Sequence, residues 1–319
     1  MSRDSVDTHP PRSESQPSGT GWWAAVRRSA KGLKADQLTD RAAALTYYGV
    51  LSLFPALLAA VSILGLFGTQ ALTPLIENLS TLAPGAVRDL LIQALRNLES
   101  SQGGALLFTL IGIALALWSA SGYVAAFTRA SNVIYGIPEG RPIWKLLPLR
   151  LVVTMVLVVL LALSATIVVF TGDLARRAGD LVGLGDTAVT VWNIAKWPVL
   201  LLAVILMLAI LYRTTPNVRH PGLGWITPGS AVAVLLWLIF SAGFALYVAN
   251  FGSYNQTYGA VAGVIIFLIW LWLSNLAIMF GVELDSELVR GRAIATGHPP
   301  AEEPYVEPRD TRKFPDKFG

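Results

Sequence analysis

From His220 to Val282 the chain carries no Asp, Glu, Lys or Arg. A run of that length does not suit a soluble core, because soluble domains are roughly a quarter charged. It is also about twice as long as one bilayer crossing, which takes roughly 20 residues at about 1.5 Å each. Its apolar pattern breaks once, at Asn250-Phe251-Gly252-Ser253-Tyr254-Asn255-Gln256-Thr257-Tyr258-Gly259. That break predicts two transmembrane helices, about 228–250 and 258–283, joined by a short uncharged polar turn.

The rest of the chain follows the same pattern. Only 14% of its residues are charged and 54% are hydrophobic. Four further apolar stretches predict spans at about 42–67, 105–127, 151–171 and 192–212. The expected fold is all-α: a six-helix membrane domain over 21–291, with disordered tails at 1–20 and 292–319, where Pro and charge replace apolar periodicity. No cleavable signal peptide is visible, since a long polar lead precedes the first apolar run.

Two amphipathic segments are expected beside the spans. Over 21–38, Trp22, Trp23, Val26, Ala30 and Leu33 recur at helical spacing opposite Arg27, Arg28, Lys31 and Lys34, a pattern that suits an interfacial helix. Over 72–100, Val87, Leu90, Leu91, Ala94, Leu95 and Leu98 form one apolar face of a helix too charged to span, expected on the outer surface. Between the later spans, Pro138, Gly140, Pro142 and Pro148 are expected to break any helix in the 128–150 loop.

The cations set the orientation. Nineteen of the 24 Lys and Arg residues fall on the side of the termini. The five on the other side are Arg88, Arg96, Arg176, Arg177 and Lys196. The bias places both termini in the cytoplasm, and six spans agree with that. It also accounts for the net charge of +4 with no nucleic-acid partner.

Within the spans, Tyr48, Ser52 and Pro55 share a helical face. Pro55 has no N–H to give the Leu51 carbonyl, so a kink is expected there, with Ser52 and Tyr48 solvating the freed oxygen. Gly112, Ala116 and Ala120 form a small-residue seam, and Gly259 and Gly263 a GxxxG start to the last helix. Asn275 lies in the hydrocarbon zone and needs hydrogen-bond partners on other helices. Tyr254, Asn255 and Tyr258 belong to the uncharged outer turn, a candidate gate. Glu283 sits at the inner end of the last helix, with Asp285 and Glu287 beside it. It is a candidate proton or cation site, or an ion-pair partner for Arg129 or Arg150.

Catalytic sets are missing. The chain has no Cys and only three His, two of them in the tails, and it lacks GxxxxGK[ST], GxSxG and HExxH motifs. No catalytic, cofactor or metal residues are expected, and a hydrolase reading has no constellation to rest on.

Several motifs do coincide with a known family. Asp40-Arg41-Ala42-Ala43-Ala44-Leu45-Thr46-Tyr47-Tyr48 with Leu51-Ser52-Leu53-Phe54-Pro55, Asn132-Val133-Ile134-Tyr135, Thr227-Pro228-Gly229 and Tyr254-Asn255-Gln256-Thr257-Tyr258-Gly259 resemble the YihY/BrkB family of bacterial inner-membrane proteins. So do Phe267-Leu268-Ile269-Trp270-Leu271-Trp272-Leu273-Ser274-Asn275 and Gly281-Val282-Glu283-Leu284-Asp285-Ser286-Glu287. The last stretch more often reads G-A-E-L-N-x-E in that family, so Val282 and Asp285 depart from it. The resemblance covers roughly 25–290 and implies six spans with both termini inside. Members have been labelled ribonuclease BN and virulence factor, and some relatives are tied to lipid or envelope transport. The resulting expectation is a multi-pass protein of the bacterial cytoplasmic membrane. It would act as a transporter or flippase-like protein for a lipid or envelope component, with Tyr48, Ser52, Pro55, Tyr254, Asn255, Tyr258, Asn275 and Glu283 along its path. The alternative is a non-transporting scaffold that binds envelope proteins. Membrane lipids and an envelope lipid or small molecule are the partners this implies, with a homo-oligomer left open.

Overall fold

The computed structural model describes residues 21–65, 105–169, 186–219, 227–250 and 254–314. Among them are seven α-helices: α1 (Trp22–Ala35), α2 (Leu38–Gly65), α3 (Ala105–Ile134), α4 (Ile143–Val169), α5 (Asp186–Thr214), α6 (Pro228–Asn250) and α7 (Tyr254–Ala295). Tail 1–20 and the outer helix expected over 72–100 lie outside the described residues.

From α2 onward each helix packs against the next in chain order, and α7 returns to α2. The helices alternate in direction. The starts of α2, α4 and α6 therefore meet the ends of α3, α5 and α7 at one end of the bundle, where the core sits. Leu45, Phe127, Val153, Leu208, Tyr212, Ala233, Met279 and Val282 are buried there, with the Phe127 and Tyr212 rings stacked at 6.0 Å. Away from that end the helices present apolar side chains outward: Leu161, Leu163, Leu202, Leu206, Leu235, Ile239, Ile265 and Phe267 are all exposed. Among the described residues, four stretches are long and apolar enough to cross a membrane: Ile143–Val168, Val189–Thr214, Pro228–Val248 and Gly263–Ala295. Only 11% of the most apolar window of Pro228–Val248 is buried within the protein. In water such a surface would drive association, whereas hydrocarbon solvates it.

The helix bounds follow local chemistry. Thr227 and Ser230 cap the start of α6 reciprocally: the Thr227 Oγ1 accepts from the Ser230 N–H, and the Ser230 Oγ from the Thr227 N–H, each at 3.1 Å. Pro228 occupies the first turn, where a missing N–H costs nothing. The helix α6 coincides with its expected span. The helix α3 instead runs past 127 to Ile134. There Gly136, at φ +65°, turns the chain and lets the Ile137 N–H reach the Asn132 carbonyl. Pro148 lies inside α4 rather than breaking it. The carbonyl it leaves unbonded belongs to Trp144, in the exposed first turn.

One further expectation is corrected, and one helix face is set by packing. The face of α1 buried within the protein is Ala25, Ser29 and Gly32, while Trp22 and Trp23 are exposed. Small residues let α1 lie directly on α7, so backbone proximity rather than aromatic bulk decides which face is covered. The tail expected to be disordered is ordered as far as 314. The helix α7 runs to Ala295, and Gly297 at φ +102° ends it. Pro308 bridges Val218, the Arg219 N–H reaches the Glu307 carbonyl, and the Arg309 N–H reaches the Asn217 carbonyl. The Arg309 guanidinium donates to the carbonyls of Arg213, Thr214 and Val218. It thereby satisfies acceptors that the end of α5 leaves open.

Candidate functional site

The acidic end of α7 is enclosed at the core end of the bundle. Glu283, Asp285 and Glu287 are 1%, 6% and 3% exposed, and each has a different environment. The carboxylate of Glu283 lies against Gly32 of α1, where a side chain would overlap it. The Oδ1 of Asp285 accepts the Gly229 N–H at 2.8 Å, so this carboxylate sits at the positive end of α6. The carboxylate of Glu287 takes the Arg28 Nε at 2.7 Å and the Arg290 Nη1 at 3.5 Å. Glu287, one turn on from Glu283, is ion-paired, and its partners come from α1 and α7 itself. Beside this pair, Ala25, Arg28, Glu287, Leu288, Gly291, Arg292 and Ala295 line a cleft of about 130 Å³.

Close backbone contact sets this geometry. At the start of α6, a Cβ on Gly229 would fall 2.1 Å from the Gly281 carbonyl oxygen. Glycine at both positions lets α6 and α7 touch main chain to main chain, which brings Asp285 within reach of Gly229. The Tyr212 hydroxyl donates to the Ile278 carbonyl, tying α5 to the same point.

Asn275 binds across helices. Its Nδ2 donates to Thr46 Oγ1 at 3.1 Å, and its Oδ1 accepts from the Tyr123 hydroxyl at 2.8 Å. One buried amide thus joins α2, α3 and α7. The tyrosine that meets Asn275 is Tyr123, not Tyr48. Tyr48 instead lays its ring on Gly122. The hydroxyl of Ser52 turns back to the Gly49 carbonyl. The Leu51 carbonyl, freed by Pro55, is taken by Ser119 of α3 at 3.1 Å, not by Ser52 or Tyr48. Tyr254, Asn255 and Tyr258 belong to the first turns of α7 rather than to a turn between helices, and their side chains lie outside the described residues.

A second polar cluster at the core end has no counterpart in the expectations. Arg141, 3% exposed, grips Glu139 through Nε at 2.7 Å and Nη2 at 2.6 Å, and also donates to the Thr215 carbonyl at 2.6 Å. Asn132 donates to Glu139, accepts the Asn217 N–H, and so joins the end of α3 to the chain after α5. Asn217 and Asp310 exchange two bonds, Asn217 Nδ2 to the Asp310 carbonyl at 2.9 Å and the Asp310 N–H to Asn217 Oδ1 at 3.0 Å. Partial burial raises the Glu139 carboxyl pKa, but its bonds to Arg141 and Asn132 outweigh this and hold it below the usual carboxylate range. The sequence signal was a Glu-Gly-Arg triplet between prolines. Sequence spacing alone does not mark it as a buried pair.

The motifs that resemble a known family thus meet in space: Thr46 with Asn275, Gly229 with Gly281 and Asp285, Asn132 with the loop after α3. The virulence factor BrkB family model matches residues 29–305. The chain belongs to the virulence factor BrkB family. This BrkB-family chain is 33% identical over 271 residues to the ribonuclease-like protein YfkH of Bacillus subtilis, covering 83% of the chain and 94% of YfkH. It is 30% identical over 283 residues to a UPF0761 membrane protein of Alkalilimnicola ehrlichii, covering 84% of the chain and 60% of that protein. A UPF0761 membrane protein of Xanthomonas axonopodis pv. citri is 28% identical over 265 residues, covering 79% of the chain and 58% of the relative. The chain therefore spans about three fifths of these UPF0761 relatives. No solved structure matches it. Among these relatives the word ribonuclease belongs to the YfkH name; the UPF0761 names say only membrane protein.

Proposed function

We propose that this BrkB-family chain crosses the bacterial cytoplasmic membrane six times, keeps both termini in the cytoplasm, and moves a lipid or other envelope component across the bilayer. The observation that carries this reading is the burial of three carboxylates, Glu283, Asp285 and Glu287, at the end of a membrane-crossing helix. Buried ions cost several kcal/mol each, and a bundle built for stability alone does better with apolar residues there. Glu283 is assigned as the residue whose charge state changes during transport. The helices α2 and α3, of 28 and 30 residues, supply the two spans beyond the four apolar ones. An even number keeps the termini together, and the Lys and Arg bias supports the cytoplasm as their side. Tyr48, Ser52, Pro55, Tyr254, Asn255, Tyr258 and Asn275 are the remaining candidates along the path.

The test is reconstitution of the purified protein in liposomes with reporters for lipid translocation and proton flux. Flux in wild type that is lost in a stably folded Glu283→Gln variant is the expected result. No movement of lipid, solute or proton by the wild type would remove the reading.

One observation favours the second reading, a non-transporting scaffold for envelope proteins. Phe127, Tyr212 and Met279 fill the core end with side chains, and the Asn275 amide is engaged on both its oxygen and its nitrogen. The scaffold reading expects inert liposomes together with an envelope protein crosslinked to the chain in cells.

A further inference from the structure

Several cations at the core end are neutralised by carboxylates. Arg28 and Arg290 have Glu287, Arg141 has Glu139, and Lys145 has Asp310. Arg129 of α3 and Arg150 of α4 make no ion pair among the described residues, and each is within reach of the other's charge. Each lies over an aromatic face instead. The Cζ of Arg129 is 5.9 Å from the centre of the Tyr48 ring, and that of Arg150 is 5.5 Å from the centre of Trp118. The Nε of Arg150 is buried with no hydrogen-bond partner.

Aromatic rings hold cations without cancelling their charge. Two uncancelled like charges on neighbouring helices therefore leave room for an anion, and the guanidinium fork suits a phosphate. Depth decides which phosphate. Arg129 lies five residues before the end of α3 at Ile134, and Arg150 seven after the start of α4 at Ile143. At roughly 1.5 Å per residue this is about 8–10 Å inside the helix ends. The rings beside the two cations face outward: Trp118, under Arg150, is 58% exposed, and Tyr47, edge-on to Tyr48, is 61% exposed. The anion that reaches such a surface at that depth is a lipid headgroup.

We propose that Arg129 and Arg150 clamp the phosphate of an anionic phospholipid in the leaflet on the side of the chain termini, with Trp118 and Tyr47 against its glycerol and upper acyl chains. The site concerns binding and stands whether or not the chain transports. The test uses the full-length protein in detergent, mixed with equal amounts of phosphatidylglycerol and phosphatidylcholine of the same acyl chains, and read by native mass spectrometry. Wild type is expected to retain phosphatidylglycerol by about tenfold or more over phosphatidylcholine, the scale of a charge-assisted clamp. In R129Q/R150Q the preference disappears, and in R129K/R150K part of it returns. Equal retention of the two lipids by wild type overturns the site with no variant needed. A folded R129Q/R150Q protein that keeps the preference also overturns it. So does full displacement of the lipid by inorganic phosphate, which would mark a site for soluble anions.

Discussion

Gly32 of α1 lies so close to Glu283 of α7 that a Cβ built on it would sit 2.1 Å from the Oε1 atom. The absence of a side chain on one helix makes room for a carboxylate on another. Glu283 is 1% exposed and has little room to withdraw. Gly32→Ala is therefore expected to destabilise the protein by about 1–3 kcal/mol, the usual cost of overpacking. Thermal unfolding in detergent checks this. In a Glu283→Ala background the cost should shrink, because the truncated residue leaves the space open. An equal cost in both backgrounds would mean that the contact is not the cause.

The α6–α7 contact gives a sharper contrast. A Cβ at Gly281 would overlap the Tyr212 hydroxyl and fall 2.5 Å from the Gly229 carbonyl oxygen and 2.8 Å from the Ala233 Cβ. Two of those neighbours are main chain and a rigid methyl, so the helices must separate. We expect Gly281→Ala to lower the yield of folded protein and to cost more than Gly32→Ala. Gly263→Ala serves as the control, since nothing lies within 4 Å of its Cβ position. Removing a helical glycine there should be neutral or stabilising by up to about 1 kcal/mol. Among the described residues, nothing approaches the Cβ position of Gly263 in the expected GxxxG start, and a close helix approach lies at Gly281.

Ser119 and Pro55 should be energetically coupled. Ser119 donates to the Leu51 carbonyl that Pro55 cannot reach. Ser119→Ala is expected to cost about 0.6 kcal/mol, rising to at most about 1.7, the measured range for interhelical bonds in membranes. In a Pro55→Ala background the alanine N–H can bond the Leu51 carbonyl, and the serine deletion should become nearly silent. A double-mutant cycle on unfolding free energies measures the difference.

Acid should loosen the Glu139 cluster. The folded protein holds this carboxyl below its ordinary value, so the unfolded chain binds the proton more readily. The resulting stabilisation is full above the ordinary carboxylate pKa and is lost as pH falls through the lower folded value. Glu139→Gln removes that dependence and should flatten the acid limb of stability below about pH 4.5. At neutral pH it should cost roughly 1.5–3 kcal/mol, as expected for a charged hydrogen-bonded group. Denaturation midpoints measured from pH 7 to pH 3 test both parts.

Much of the helical plan was legible beforehand. The helix α6 matches its expected span residue for residue, because Thr227-Pro228-Gly229 marks its start and an uninterrupted apolar run fills it. The ends of α3 and α7 were less legible. The helix α3 continues through polar residues 128–134 because Asn132 and Ser131 pack against other elements. The helix α7 continues to Ala295 where Arg28 of α1 pairs with Glu287 and the Tyr305 ring covers Arg290. The polar roles were least legible. Asn275 called for partners on other helices, but nothing in the sequence around it names Thr46 or Tyr123. Glu283 stood out as a carboxylate, but nothing in the sequence names Gly32 as the residue against it or Arg28 as the partner of Glu287.

From the sequence alone, the chain was bound to be helical and soluble in lipid, since apolar transfer energy and internal backbone bonding add up residue by residue along the chain. Which cation meets which carboxylate, which face of α1 is covered, and what the tail lies against were decided only in the folded protein. Those choices depend on a few ångströms between residues up to 259 positions apart, and glycine at Gly32, Gly229 and Gly281 sets those distances by what it lacks. A pattern of hydropathy carries no record of such spacing, because it scores each side chain by itself and never the gap between two.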